Sequence, residues 1–299
     1  MSSPTYPNLE SLVGNTPLVL AQKINPNPRV TLLFKLEGNN PGGSVKDRAA
    51  LFMIQGALAR GEINRSTKLI EATSGNTGIA LAMIARLYGL EIELVMPENS
   101  TKERVQTMRA YGAQVTLTSA EQGIEGARDY AEAKVKHQGY FALNQFGNSD
   151  NWKAHYHTTG PEIWRDTQGK VTHFVSSMGT TGTIMGTSCY LKEQSKHIQI
   201  IGVQPEDGSK IPGIRKWPEA YLPAIYQPKR VDRIIEVSDS EAAQMARRLA
   251  QDEGIFSGMS SGGAAIAALQ LCEELNEGVV VSIVCDRGDR YLSSGVFVD

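Results

Sequence analysis

The fold class of this chain is decided by one stretch, Lys68-Leu69-Ile70-Glu71-Ala72-Thr73-Ser74-Gly75-Asn76-Thr77-Gly78. Its apolar beginning predicts a buried strand at 68–72, and the helical spacing of the apolar residues that follow predicts a helix at 77–88. The turn between them, residues 73–78, consists of glycine and of residues that cap helices, which is more than a helix start requires. Its backbone N–H groups and hydroxyls predict a site for an anion such as a substrate carboxylate.

The same order of strand, turn and helix recurs along the chain. Short apolar runs predict strands at 31–36, 68–72, 91–96, 114–118, 140–143, 173–176, 199–204, 233–237 and 279–285. Segments with a period of about 3.6 residues predict helices at 47–60, 77–88, 102–111, 124–137, 181–192, 239–252 and 262–275. Several strands lack a polar alternation, which is typical of strands buried on both faces. The alternation predicts an α/β fold with mostly parallel, twisted sheets flanked by helices.

Two domains are expected, because nine strands are many for one sheet and 299 residues suit domains of about 150 residues each. Breaks at 39–43 and 144–152 predict a smaller α/β domain at residues 38–146. Residues 1–37 and 147–299 would then form the larger α/β domain. The 206–228 segment contains four prolines and no clear periodicity. We interpret it as a long loop, and such loops are often functional lids.

Composition and charge exclude several classes of protein. Hydrophobic residues make up 41% and charged residues 21%, which indicates a folded globular chain. A formal net charge of −2 disfavours a nucleic-acid partner, and no run of about 18 apolar residues predicts a membrane span. The start of the chain does not match a signal peptide, and the three cysteines lie far apart, so we expect a cytoplasmic protein. No metal site is expected, since His155 and His157 have no cysteine or carboxylate cluster beside them.

Three further glycine- or serine-rich turns stand at predicted helix starts, at 42–48, 179–183 and 257–263. The first contains Lys46, whose simplest interpretation is an exposed lysine, and it does not match the GxxxxGK[ST] pattern of a P-loop. In the second, the amides of Gly179 and Gly182 and three threonine hydroxyls could bind a phosphate dianion. A plain capped helix start remains the alternative for each turn.

Taken in order, these turns closely resemble the cysteine synthase (O-acetylserine sulfhydrylase) family, which belongs to the fold-type II pyridoxal-phosphate enzymes. The resemblance covers nearly the whole chain and rests on GNTPL at 14–18, NPGGSVKDR at 40–48, EATSGNTG at 71–78, GTTGT at 179–183 and GMSSG at 258–262. The segments DRGDRYLS at 286–293 and IPGIRKW at 211–217 are similar to the B-type isozyme, although Lys216 stands where a second arginine is expected. The resemblance implies a tryptophan synthase β-like architecture and a homodimer.

The resemblance also implies a role for individual residues. Lys46 would form the Schiff base with pyridoxal 5′-phosphate and act as general base, Asn76 would lie beside the 3′-oxygen, and Ser260 would meet the pyridine nitrogen. The cofactor phosphate would be held by Gly179, Thr180, Thr181, Gly182 and Thr183, and the substrate carboxylate by Thr73, Ser74, Asn76, Thr77 and Gln145. The implied reaction is β-replacement on O-acetyl-L-serine by sulfide, which gives L-cysteine.

Three side chains refine this expectation. A hydroxyl at the pyridine nitrogen, here Ser260, makes the ring a weaker electron sink than a carboxylate would, which favours β-elimination and replacement over transamination. The similarity to the B-type isozyme, with Arg215 on the 206–228 loop, implies thiosulfate as a further donor, giving S-sulfocysteine, since a guanidinium suits oxyanions; a solvated surface charge is the alternative for Arg215. Cys285, at the end of the last strand, lies at the edge of the sheet that faces ligands and could approach the pocket, whereas a small buried side chain is the preferred interpretation.

Two alternatives to cysteine synthesis stay open at this point. The first is a related β-eliminating pyridoxal-phosphate enzyme, such as a serine/threonine dehydratase or a cystathionine β-synthase-like enzyme. The second is a non-catalytic ligand-binding α/β protein that keeps the fold.

Overall fold

The structure, a computed structural model, describes residues 6–73 and 75–297 and contains two sheets. The strands are β1 (Leu18–Leu20), β2 (Val30–Leu36), β3 (Lys68–Ala72), β4 (Glu91–Pro97), β5 (Gln114–Thr118), β6 (Phe141–Ala142), β7 (His173–Ser177), β8 (Gln199–Pro205), β9 (Arg233–Val237) and β10 (Gly278–Val284). The helices are α1 (Lys46–Ala59), α2 (Asn76–Leu87), α3 (Lys102–Ala110), α4 (Gly123–Gln138), α5 (Ser149–Ala154), α6 (Gly160–Asp166), α7 (Gly182–Gln194), α8 (Asp239–Glu253) and α9 (Met259–Glu274). Each predicted strand and helix is present, and the α/β fold class is confirmed.

The two sheets take their strands from different parts of the chain. The larger sheet has the order β1-β2-β10-β7-β8-β9, and the smaller has the order β5-β4-β3-β6. β1 runs antiparallel to β2, and the other pairings are parallel. The strands of the smaller sheet lie inside residues 38–146 and those of the larger sheet outside, whereas the domain boundaries themselves stay a prediction. In such sheets ligands bind at the carboxyl ends of the strands, where the glycine-rich turns follow.

Helices cover these sheets closely, which explains the apolar strands. Leu32 and Phe34 of β2 and Leu69 of β3 are fully buried. Helix α9 packs against α8 through Gly262, where a Cβ atom would stand 2.1 Å from the carbonyl oxygen of Ala242. A residue without a side chain therefore permits this close approach, and the packed helices form one wall of the larger core.

The structure corrects several sequence-based boundaries. β1 was not predicted, since its three residues are too few for a periodic pattern. The predicted break at 144–152 contains the start of α5, because Asn148 caps that helix by accepting a hydrogen bond from the Asp150 amide at 2.9 Å. Helix α5 continues through a π-helical turn, His155–Thr159, into α6. Helix α9 begins at Met259 instead of 262, because Gly258 in an extended conformation is its N-cap.

A buried group of charges ties α1 to the larger sheet and to α6. The Arg48 guanidinium lies 2.7 Å from a Glu37 oxygen and 2.6 Å from a Glu162 oxygen, and Lys35 Nζ lies 2.8 Å from the other Glu162 oxygen. Burial would raise the pKa of Glu162, but Arg48 and Lys35 outweigh it and lower the pKa to about 2. Since Arg48 lies in the first turn of α1, these pairs fix the position of the helix that begins with Lys46.

Neither a membrane span nor a metal cluster is found in residues 6–73 and 75–297. No helix in these ranges is long and apolar enough to cross a membrane. The same ranges contain no group of three or more His, Cys, Asp or Glu side chains that could hold a metal ion. His155 contacts Thr159, whereas His157 stacks on the ring of Phe52, so these two histidines have different surroundings.

Candidate active site

A cleft of about 1020 Å³ is lined by residues from the carboxyl ends of both sheets. The site residues predicted from the sequence that line it are Lys46, Thr73, Asn76, Thr77, Gln145, Gly179, Thr180, Thr183, Arg215 and Ser260. Thr181 and Gly182 lie behind the lining as buried residues of the same turn. Ser74 lies outside the described residues. The structure therefore brings nearly all of the predicted site residues to one cavity.

Lys46 is the first residue of α1 and its side chain lines the cleft. The preceding amide, that of Val45, donates to the Cys285 carbonyl at 2.8 Å, and the Lys46 amide contacts Ser44 Oγ at 3.2 Å. The start of α1 is thus fastened to the segment that follows β10. Lys46 is half-buried, so its interpretation as an exposed surface lysine is wrong.

The 73–78 turn joins β3 to α2 and meets a second segment across the cleft. Thr77 Oγ1 donates to Gln145 Oε1 at 2.7 Å. The backbone N–H of Gln145 donates to the buried carboxyl of Glu71 at 3.3 Å. Burial raises the pKa of Glu71 to about 7, although backbone N–H groups oppose this. The N-terminus of α2, Thr73, Thr77 and Gln145 therefore present polar groups to one part of the cleft, as a carboxylate site requires.

Asn76 is held by two residues that follow β10. Its Nδ2 donates to Asp286 at 2.6 Å, and Arg290 donates to its Oδ1. Asp286 also accepts hydrogen bonds from the Tyr291 hydroxyl at 2.7 Å and from the Gly258 amide at 3.2 Å. The orientation of the Asn76 amide at the cleft is consequently fixed from behind, although Asn76 and Asp286 are 210 residues apart.

The 179–183 turn joins β7 to α7 and has the backbone of an anion site. Thr181 adopts a positive φ of 71°, which is uncommon for a residue with a branched side chain. Gly179 lies so close to the 206–228 loop that a Cβ would stand 2.7 Å from the Gly213 carbonyl oxygen. The buried Thr181 hydroxyl is without a hydrogen-bond partner in the described part of the chain. This turn at a helix N-terminus offers donors to a phosphate group.

Ser260 and Cys285 lie on the larger-sheet side of the cleft. Ser260 is in the first turn of α9, and its carbonyl accepts a hydrogen bond from Ser177 Oγ at 2.6 Å. Cys285 lines the same cleft, which confirms the alternative that it approaches the pocket. The preferred interpretation, a core side chain, is wrong because a strand-end cysteine looks the same in a core and in a pocket. Burial raises the pKa of the Cys285 thiol to about 11, against the opposing charge of Lys46.

Arg215 lies on the 206–228 loop, which the structure confirms as a long segment with only short helical turns. Its amide donates to the Met178 carbonyl at 2.8 Å, and Trp217 Nε1 donates to the Gly179 carbonyl at 2.7 Å. Lys216 forms ion pairs with Asp207 at 2.8 Å and with Glu236. The loop backbone is therefore fastened to the 179–183 turn, while the exposed Arg215 side chain lines the cleft.

Comparisons with known proteins agree with this geometry. The model of the family described as "Pyridoxal-phosphate dependent enzyme" matches residues 9–286. A curated relative, cysteine synthase B of Pseudomonas aeruginosa, is 59% identical and the match covers 98% of each chain. The chain belongs to the cysteine synthase family of pyridoxal-phosphate dependent enzymes.

Solved structures of this family have the same fold. A cysteine synthase from Entamoeba histolytica has a TM-score of 0.92 at 38% identity, over 99% of this chain and 93% of that one. An O-acetylserine dependent cystathionine β-synthase from Helicobacter pylori has a TM-score of 0.89 at 37% identity, over 100% of both chains. The recognition of the family, the enzyme class and the cofactor are confirmed, and the non-catalytic alternative is wrong.

The residues around the cleft fit pyridoxal phosphate. A phosphate dianion needs hydrogen-bond donors, and the 179–183 turn supplies backbone N–H groups together with the hydroxyls of Thr180 and Thr183, which line the cleft. Lys46 supplies an amine within the same cavity, and Ser260 supplies a neutral hydroxyl. These groups would hold the phosphate, the aldehyde carbon and the ring nitrogen of the cofactor, respectively.

Four residues that support this site were not predicted as site residues. Asp286 and Arg290 orient Asn76, and their segment was noted only for its similarity to the B-type isozyme. Asn151 and His155 contact Thr180 and Thr183 from α5 and the π-helical turn. Asn151 lies in the predicted break at 144–152, where no pattern marks it, and His155 stands out in the sequence only as a neighbour of His157.

Proposed function

We propose that this enzyme makes L-cysteine from O-acetyl-L-serine and sulfide by β-replacement. The observation that carries the proposal is the single cleft in which the Lys46 amine meets the helix-start turns 73–78 and 179–183. One turn suits the carboxylate of an amino acid and the other suits a phosphate, so both anions are held around one amine. The identity of the curated relative named cysteine synthase B supports the same reaction.

Substrate binding is assigned to the smaller-sheet side of the cleft. Thr73, Thr77 and Gln145, together with the backbone N–H groups at the start of α2, bind the α-carboxylate of O-acetylserine. Ser74 belongs to the same turn and is proposed for the same role from its sequence position. The Thr77 hydroxyl donates its one hydrogen to Gln145 Oε1. Thr77 therefore offers its backbone N–H to the anion, and the Gln145 side chain is oriented in advance with its Nε2 left to donate.

Pyridoxal phosphate, when bound, supplies an electron sink for negative charge at the α-carbon of the amino acid. The 179–183 turn holds its phosphate, and Asn76 donates toward its 3′-oxygen from an orientation that Asp286 and Arg290 fix. Ser260 hydrogen-bonds the ring nitrogen without donating or removing a full charge. A neutral partner at this position favours prompt loss of the acetate group over transamination.

Lys46 moves the proton in this proposal. Its amine removes the α-proton of O-acetylserine as general base, and acetate leaves from the β-carbon. The sulfur nucleophile then forms its bond to the β-carbon, and Lys46 returns the proton to the α-carbon as L-cysteine forms. The half-buried position of Lys46 at the rigid start of α1 keeps the amine within the cleft during these transfers.

Thiosulfate is proposed as a second donor, which would give S-sulfocysteine. Thiosulfate is a dianion larger than sulfide and therefore requires more room. The cleft of about 1020 Å³ provides that room. Arg215 lines the cleft on a loop whose backbone is fastened to the 179–183 turn. Its guanidinium offers a planar fork that suits an oxyanion. Lys216, by contrast, is engaged by two carboxylates and is not assigned to the donor.

A homodimer in the cytoplasm is the proposed working state. The family resemblance supports the dimer. All three cysteines, Cys189, Cys272 and Cys285, are unpaired, which supports a reducing compartment.

Steady-state assays with Lys46→Ala test the proposed reaction. The variant is expected to form cysteine at least about 10²–10⁴-fold more slowly than the wild type, since this factor is the usual contribution of one acid–base group. Lys170→Ala, at an exposed lysine, is the matched control and is expected to act as the wild type. Retained turnover in Lys46→Ala would contradict the assignment.

The choice of substrates separates the remaining alternatives. O-acetylserine is offered to the wild type with sulfide, with thiosulfate and with homocysteine, and L-serine is offered alone. Cysteine is the expected main product. Cystathionine as the main product would favour a cystathionine β-synthase-like enzyme, and pyruvate from serine alone would favour a dehydratase.

A further inference from the structure

The hydroxyls of the 179–183 turn are contacted from behind by two buried residues, Asn151 of α5 and His155 of the π-helical turn. They are 2% and 1% exposed. Asn151 Nδ2 lies 3.1 Å from Thr180 Oγ1, and His155 Nε2 lies 3.3 Å from Thr183 Oγ1. Since the two residues are four positions apart, they lie on the same side of the helical segment. Each therefore holds one threonine hydroxyl of the turn.

The direction of the Asn151 hydrogen bond is fixed by a third group. Nδ2 also lies 2.7 Å from the carbonyl oxygen of Gln145, which can only accept. The amide nitrogen must therefore face both neighbours, so the Thr180 oxygen accepts from it. The hydrogen of the Thr180 hydroxyl is then free to point toward the cleft that Thr180 lines.

His155 has the corresponding arrangement on its two ring nitrogens. Nδ1 lies 2.8 Å from Thr159 Oγ1, on the next turn of the same segment. Burial, and then the charge of Arg48, lower the pKa of His155 to about 3, so the ring is neutral with one N–H. When the Thr159 hydroxyl donates to Nδ1, the hydrogen resides on Nε2 and is donated to Thr183.

Glycines in α7 allow this close approach. A Cβ at Gly182 would stand 2.0 Å from Asn151 Oδ1, and one at Gly186 would stand 2.8 Å from the His155 Cβ. Helix α7 is therefore packed directly on the segment that carries both donors, with no room for a side chain between them.

We propose that Asn151 and His155 are positioning residues that donate to Thr180 and Thr183 and so turn both hydroxyl hydrogens toward the cofactor phosphate. The proposal rests on the assignment of the 179–183 turn to that phosphate. A phosphate dianion is bound by donors, and a hydroxyl that presented its lone pair would repel it. The two buried residues thus make the turn a donor-only surface before the cofactor arrives.

Equilibrium dialysis of the full-length protein, from which bound cofactor has first been removed, against pyridoxal phosphate and separately against pyridoxal tests the His155 part. His155→Leu is expected to weaken affinity for pyridoxal phosphate about tenfold and to leave affinity for pyridoxal unchanged, because only the phosphate contact is lost. His155→Gln, whose amide reaches the position of Nε2, is expected to retain the wild-type affinity. His155→Asn, which lacks a donor there, is expected to match His155→Leu and serves if the leucine variant does not fold.

A double-variant cycle with Thr183→Val gives the decisive comparison. His155→Leu in the Thr183→Val background is expected to cause no further loss, since the hydroxyl it orients is gone. Additive losses, equal losses for pyridoxal phosphate and pyridoxal, or failure of His155→Gln to retain affinity would overturn the proposal. If Thr183→Val alone leaves phosphate affinity unchanged, the assignment of the turn to the phosphate is wrong, which is a separate failure that also ends this proposal.

Discussion

Replacing Glu162 by glutamine is expected to destabilise the fold by about 3 kcal/mol at neutral pH. The carboxylate is paired with Arg48 at 2.6 Å and with Lys35 at 2.8 Å, and its side chain is 6% exposed. Its pKa is lowered from 4.5 to about 2. At about 1.4 kcal/mol for each pKa unit, this gives about 3 kcal/mol, which agrees with the roughly 3–5 kcal/mol lost when one partner of a buried ion pair is removed.

The pH dependence gives this prediction a second, independent readout. Because the folded pKa of Glu162 is below its unfolded value, its contribution is complete well above pH 4.5 and is lost as the pH falls from 4.5 toward 2. By about pH 3.5 the wild type should have lost about 1.4 kcal/mol of this contribution. Since glutamine does not titrate, the stability gap between the wild type and Glu162→Gln should narrow by that amount in acid.

Urea unfolding of the full chain at pH 7 and near pH 3.5 measures both effects. The matched control is Glu274→Gln, which breaks an ion pair with Arg233 whose side chains are 50% and 46% exposed. Such a surface pair contributes less than about 1 kcal/mol. A loss for Glu162→Gln no larger than that of the control, or a gap that does not narrow in acid, would refute the reasoning.

Three further substitutions test individual site residues. Asn76→Ala should weaken both cofactor affinity and O-acetylserine affinity, because its amide is fixed at the cleft. An unchanged cofactor affinity in equilibrium dialysis and an unchanged KM for O-acetylserine would mean that the 73–78 turn does not bind either molecule. Ser260→Asp should slow β-replacement about tenfold or more by holding the ring nitrogen protonated, and unaltered steady-state rates would exclude Ser260 as the nitrogen partner. Arg215→Ala should lower kcat/KM for thiosulfate at least about tenfold more than for sulfide, a difference of about 1.4 kcal/mol, while Arg65→Ala at an exposed arginine should not. Equal losses for the two donors would show that Arg215 holds the loop.

The alternation of strands and helices can be predicted because short segments of the sequence carry the signals for it. Strands such as β4 and β10 are mostly apolar, and helices such as α2 and α7 start at glycine-rich turns. The patterns alone predict separate anion-binding turns, and the resemblance to the cysteine synthase family assigns them to one site. The structure brings Lys46, Asn76 and Ser260 to the same cleft.

The supporting residues were not predictable, because their contacts are distant in sequence. Asp286 meets Asn76 across 210 residues, and nothing in either segment alone indicates that pair. The short helix α5 depends on one capping side chain, Asn148, in a stretch that otherwise looks like a loop. The environment of Cys285 is equally hard to predict, since residues distant in sequence decide whether a side chain at a strand end faces a core or a cavity.

The position of β10 has a consequence for the synthesis of this protein. It lies between β2 and β7 in the larger sheet, yet it leaves the ribosome after every other strand that the structure describes. The strands of the smaller sheet emerge much earlier, whereas β2 must wait for a partner that begins at Gly278. Pairing over so long a separation is slow, and the unpaired edges of β2 and β7 are surfaces on which nascent chains associate. Chains that stop short of Gly278 should therefore aggregate even with the smaller sheet fully formed, because the larger sheet is complete only once β10 is present.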